Sequence, residues 1–138
     1  MAIHATRIEA LADAIAFLNR AHDPQSDAYR LRNPGLAKCF SFKDLAKSDE
    51  KGRRWFTSWV GGYRFLVQDL IWKCSGQTRA KGNNGKLKAT SRLTDLLISF
   101  QLNREDHVFE LVDFLNRALL DDSITPQTEI GYFLKDVK

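Results

Sequence analysis
A helical repeat behind a start signal is the feature that most limits what this chain can fold into. Thr6-Arg-Ile-Glu9 has the spacing of a capping box, in which a threonine oxygen accepts from the N–H three residues on and the glutamate reaches back. Ile8, Leu11, Ala12, Ile15 and Leu18 then recur at intervals of three and four, so they share one side of a helix over residues 7–19. The same period returns downstream. A helix opening near Ser58 carries Trp59, Tyr63, Leu66, Val67, Leu70, Ile71 and Cys74 on a broad face. Gly61 and Gly62 lower the helix propensity of its first turns and imply a neighbour packed closely there. A third helix is expected from Thr94, with Asp95 in its first turn and Leu93 and Ile98 at the two staple positions. Asn103 is placed to cap a fourth, which turns Val108, Leu111, Val112, Leu115 and Leu119 inward. Thr125-Pro126 starts a last helical turn through Ile130 and Leu134.

One stretch does not follow this period. Arg32-Asn-Pro-Gly35 has turn chemistry, and two short aromatic runs follow it, Cys39-Phe-Ser-Phe42 and Arg54-Trp-Phe-Thr57. They predict a small antiparallel pair. With 138 residues the chain suits one core, so the expected fold is a single domain over 1–138, mainly α with a minor β element (α+β).

Charge is unevenly placed. The chain has 21 Lys and Arg against 17 Asp and Glu, a formal +4. Lys73, Arg79, Lys81, Lys86, Lys88 and Arg92 lie in one stretch without an acidic residue, and without them the remainder is net acidic. The glycine- and asparagine-rich centre of that stretch predicts an exposed loop at about 76–91. One reading of it is a solvated connection. The other is a polyanion contact through Arg79, Lys81, Lys86, Lys88 and Arg92, to nucleic acid or an acidic protein. The loop has no aromatic ring to stack on bases, which weighs against single-strand recognition.

Cys39 and Cys74 stand far apart and outside any CxxC pattern, which favours two free thiols over a bridge or a zinc site. His4, His22 and His107 lack metal-ligand spacing and read as surface or capping histidines. No metal or cofactor is expected. The N-terminus lacks the pattern of a signal peptide and no segment is apolar enough to span a membrane, so synthesis in the cytoplasm and no membrane insertion are expected.

The order of motifs carries a resemblance. It runs from the Ala-rich helix Leu11-Ala-Asp-Ala-Ile-Ala16 through Arg32-Asn-Pro-Gly35 to Trp55-Phe-Thr-Ser58 with Gly62-Tyr-Arg-Phe-Leu66. Gly76-Gln-Thr78, Leu93-Thr-Asp-Leu-Leu97, the helix around Val108 to Leu119 and Pro126-Gln-Thr-Glu-Ile130 follow. This resembles phage and bacterial lysozyme-like domains with an Asn-Asn-Pro-Gly-Asn motif, over nearly the whole chain. The resemblance implies a lysozyme-like helical domain with a small β-hairpin lobe and a groove between that lobe and the first helix. It also implies a glutamate at the end of the first helix that protonates a glycosidic oxygen. Counting back from Asn33 by the family's spacing lands on Asn19, whose carboxamide has no proton to give. Leu31-Arg32 and Leu36 also depart from the motif.

The implied protein is therefore a degenerate lysozyme-like domain that binds glycan, peptidoglycan above all, or serves as an interaction module, in a virion or after release by lysis. Its candidate ligand-binding residues are Asn19, Asn33, Trp55, Arg53 and Arg54. A residual peptidoglycan hydrolase would need another carboxylate, for which Asp23 and Asp27 are candidates, although both also suit turn or cap roles. Of the clustered rings, Phe56, Tyr63 and Trp59 are expected in the core and Trp55 at the surface.

Overall fold
The computed structural model describes residues 6–37, 53–76, 87–102 and 104–137. Among them are five α-helices: α1 (Arg7–Leu18), α2 (Asp27–Arg30), α3 (Trp59–Cys74), α4 (Leu93–Ser99) and α5 (Glu105–Leu119). A 3₁₀ turn, Ile130–Leu134, follows. The protein is mainly helical.

The centre of the molecule is α1. Thr6 accepts from the Glu9 N–H at 3.3 Å and its hydroxyl donates to the Glu9 carboxylate at 2.9 Å, which fixes the helix start. Ile8, Ala10, Leu11, Ala12, Ala14, Ile15 and Leu18 are all buried, so alanines complete the faces that the large residues leave. Small side chains let neighbouring backbones come close, and α1 packs against α5, α3 and the 3₁₀ turn. The helix ends in a Schellman motif: Arg20 N–H donates to the Phe17 carbonyl and Ala21 N–H to that of Ala16, both at 3.0 Å. Arg20 accordingly has a left-handed φ of 59°.

Ser58 starts α3 by accepting from the Gly61 N–H at 3.0 Å. Gly62 is where the helix meets the turn after α2: a Cβ built there would lie 2.0 Å from the Arg32 carbonyl oxygen. One turn on, the Tyr63 hydroxyl donates to the Glu9 carbonyl of α1 at 3.2 Å. Burial, helped by Asp13 and Glu9, raises its pKa above the ordinary phenol value, so it stays a donor. Trp59 corrects an expectation: it is 38% exposed, because the first turn of α3 projects past the core and its ring meets Tyr29 edge-on.

Helix α4 begins one residue earlier than expected. Arg92 is its N-cap, the Asp95 carboxylate accepts from the Arg92 N–H at 3.0 Å, and Leu93 is buried within the first turn. Ile98 is 60% exposed, so the expected staple does not form. Helix α5 has Arg104 as N-cap, and His107 Nδ1 accepts from the Arg104 N–H. The cap expected at Asn103 lies outside the described residues. The C-terminal segment closes the structure through a bridge between Arg92 and Glu129, with Ile130 and Phe133 buried beneath it.

Of the expected hairpin, Cys39–Phe42 lies outside the described residues. The second run is held by the loop after α2, with Arg54 N–H on the Ala37 carbonyl and Phe56 N–H on that of Leu31.

Lys73 corrects the reading of the basic stretch. It is 5% exposed, pairs with Asp69 one turn back at 2.9 Å and lies 3.8 Å from the centre of the Phe100 ring. Burial raises the Asp69 carboxyl pKa and the Lys73 charge pulls it back down. Next to them, Cys74 is a free, fully buried thiol whose pKa burial pushes up to about 12, leaving it little thiolate character. Cys39 lies outside the described residues. No helix among the described residues is long and apolar enough to cross a membrane.

Two stability measurements check these contacts. Gly62→Ala is expected to cost at least about 3 kcal/mol in urea unfolding, because a backbone carbonyl cannot rotate away, whereas Gly61→Ala is near neutral. Asp69→Asn is expected to cost about 3–5 kcal/mol by stranding a buried ammonium. The double change Asp69→Leu with Lys73→Met should stay within about 1 kcal/mol of the parent protein.

Candidate functional site
The turn after α2 gathers most of the residues singled out in the sequence. Asn33 is its anchor. Its side chain is 1% exposed, with Nδ2 donating to the Ala37 and Arg54 carbonyls at 2.8 and 2.9 Å and Oδ1 accepting from the Ala37 N–H at 2.9 Å. Those bonds hold the turn and its neighbouring strand-like segment together, so Asn33 is a structural residue rather than a ligand contact. Asn19, the C-cap of α1, reaches the same turn, its Nδ2 donating to the Pro34 carbonyl at 3.0 Å. The end of the first helix and the Asn-Pro-Gly turn therefore meet directly.

The backbone of this turn is unusual. Arg32 and Leu36 have left-handed φ of 50° and 52°, a conformation that costs a non-glycine residue about 1–2 kcal/mol and that asparagine tolerates best. Both positions hold residues with bulky side chains, arginine and leucine, for which this backbone is strained.

The carboxylates near the turn are engaged. Asp23 accepts from the Gln25 N–H at 2.9 Å, an Asx turn. Asp27, in the first turn of α2, pairs with Arg30 at 3.1 Å and with Arg53 at 2.9 Å. Arg54 lies over the rings of Phe56 and Phe65, at 5.0 and 5.9 Å from their centres. Both arginines therefore brace the segment that carries Trp55.

What this segment exposes is aromatic. Trp55 is 47% exposed, as the sequence suggested, while Phe56 is buried. The segment runs beside α2 and its turn: Arg53 meets Asp27, Phe56 bonds Leu31, and the Arg32 guanidinium donates to the Thr57 carbonyl at 3.0 Å. Beyond it, the exposed rings of Tyr29 and Trp59 stand 5.5 Å apart. Sequence reading missed Tyr29 because it belongs to no motif, and it took Arg32 only as part of the turn; the packing of α3 against the turn brings both to this face.

The basic stretch divides differently. Arg79, Lys81 and Lys86 lie outside the described residues. Lys88 is exposed, and Arg92 bonds the Gln127 carbonyl at 2.9 Å and approaches Glu129 at 3.5 Å. Among the described residues no group of His, Cys, Asp and Glu side chains could hold a metal ion. Comparison with known proteins adds no name: no family model, no curated protein and no solved structure matches the chain.

The structural role of Asn33 is testable. Asn33→Ala is expected to destabilise the protein by about 2–3 kcal/mol in thermal or urea unfolding, since it leaves the part-buried Ala37 N–H and Arg54 carbonyl without their partner and takes one of two donors from the Ala37 carbonyl.

Proposed function
We propose that the chain is a lysozyme-like domain without its general acid, a module that binds glycan, peptidoglycan above all, and does not cleave it. The observation that carries this reading is the contact between Asn19 and the Pro34 carbonyl. It sets an uncharged carboxamide where the resemblance expects a glutamate, at the end of the first helix and against the Asn-Pro-Gly turn. The left-handed φ of Arg32 and Leu36 supports the same ancestry, since the motif's asparagines suit that backbone.

A carboxamide cannot protonate a leaving oxygen. Asp23 and Asp27, the substitutes considered for a residual hydrolase, are held in a turn and in ion pairs. Binding needs none of this chemistry. An exposed indole offers a flat apolar face to a sugar ring, and Trp55 stands beside polar groups that can meet its hydroxyls. Association with a virion or release by lysis would fit such a module. Of the residues of the polyanion reading, Arg92 is bonded to the C-terminal segment and Lys88 is exposed, while Arg79, Lys81 and Lys86 lie outside the described residues.

Sedimentation with purified peptidoglycan tests the proposal. The protein is expected in the insoluble fraction, Trp55→Ala should weaken that binding by about fivefold or more, and the pellet should show no lytic activity. Retention that is unchanged in Trp55→Ala, or no retention at all, overturns the glycan reading. Binding to nucleic acid that falls steeply with salt would favour the basic stretch instead.

A further inference from the structure
On another side of α1 its C-terminal end and one face of α5 enclose a cleft of about 740 Å³, within the range of small-molecule sites. Its apolar part is an aromatic shelf. The Phe17 ring, 45% exposed, lies 5.4 Å from His22 and nearly parallel to it, and 5.5 Å from Phe114. Phe17 and His22 are open to solvent, while Phe114 beside them packs against the core and anchors the shelf.

The rim is charged and balanced. Arg104 is held by Asp106, and Arg117 by Asp113 at 3.3 Å, so four of the lining charges neutralise one another on α5. Arg20 and Glu110 are different. Among the described residues neither takes part in an ion pair or a side-chain hydrogen bond, although Glu110 lies near enough to Arg104 to favour its charged form. They come from separate walls, Arg20 from the turn after α1 and Glu110 from the middle of α5. The cleft thus offers a stacking surface, a cation outside any ion pair at Arg20, and at Glu110 a carboxylate that a more distant Arg104 attracts.

We propose that this cleft is a binding site for a short zwitterionic peptide with an aromatic side chain, its ring on the Phe17–His22 shelf, its carboxylate toward Arg20 and its ammonium toward Glu110. A polyanion would meet as many carboxylates as guanidinium groups here, and a neutral apolar ligand would leave both charges unanswered. The site does not depend on the glycan reading, since Asn19 and Trp55 are not among the residues that line it.

The dipeptide Phe-Gly, its N-acetyl form and its C-terminal amide are the probes, titrated into the full chain by NMR. Phe-Gly is expected to bind with a Kd on the order of a millimolar, and blocking either end should weaken it by about fivefold, the effect of one exposed ion pair. Arg20→Gly removes the guanidinium at a position whose left-handed φ suits glycine, so the fold is retained and only the penalty for the amide disappears. Glu110→Gln should abolish only the penalty for acetylation. Phe17→Ala should weaken all three ligands, and Trp55→Ala none of them. Equal binding of the three probes, no shift at tens of millimolar, or penalties that survive in the charge variants would overturn the proposal.

Discussion
One turn, residues 31–37, ties the molecule together. Arg32 presents its carbonyl to a helix that has no side chain at Gly62 to push it away. Next to it, the buried Asn33 side chain bonds the Ala37 N–H and the Ala37 and Arg54 carbonyls, tying the turn to the aromatic segment. Pro34 then receives the Asn19 amide from the end of α1. First helix, third helix and the aromatic segment thereby share one fixed point, and the exposed rings of Tyr29, Trp55 and Trp59 inherit their positions from it. The left-handed φ of Arg32 and Leu36 is the conformational cost of this arrangement, and the surrounding contacts hold it in place.

Electrostatics follow burial rather than the order of charges along the chain. Lys73 opens the basic stretch in sequence, yet it lies inside the protein between Asp69 and Phe100. Two buried charges of opposite sign gain less from each other than they lose by leaving water, unless their geometry is close, and here the separation is 2.9 Å. Arg92 at the other end helps pin the C-terminal segment through Gln127 and Glu129. Both ends of the basic stretch therefore contribute to the fold.

The proposed function rests on two features of one region, an uncharged side chain at the end of α1 and exposed aromatic rings nearby. Asn19 occupies the end of the first helix and gives its amide protons to a carbonyl, while the nearest carboxylates are tied to backbone and arginine groups. Beside that turn, the rings of Tyr29, Trp55 and Trp59 remain open to solvent. The cleft between α1 and α5 is a separate aromatic surface, and its lining includes neither Asn19 nor Trp55.

The sequence by itself located four of the five helices among the described residues, all but the short α2. Periodic apolar residues behind Thr6, Ser58 and the acids of the later first turns locate α1, α3, α4 and α5 to within a residue or so, because capping and burial are local in register. It also identified Gly62 as a point of close approach and Trp55 as an exposed ring. What only the tertiary structure decided is which polar groups are available. Asn33 and Lys73 look alike in sequence to any surface asparagine or lysine, and Trp59 looks like a core ring; their exposure depends on partners far along the chain. The aromatic shelf of Phe17, His22 and Phe114 was illegible for the same reason, since its rings meet only after α5 packs across the end of α1.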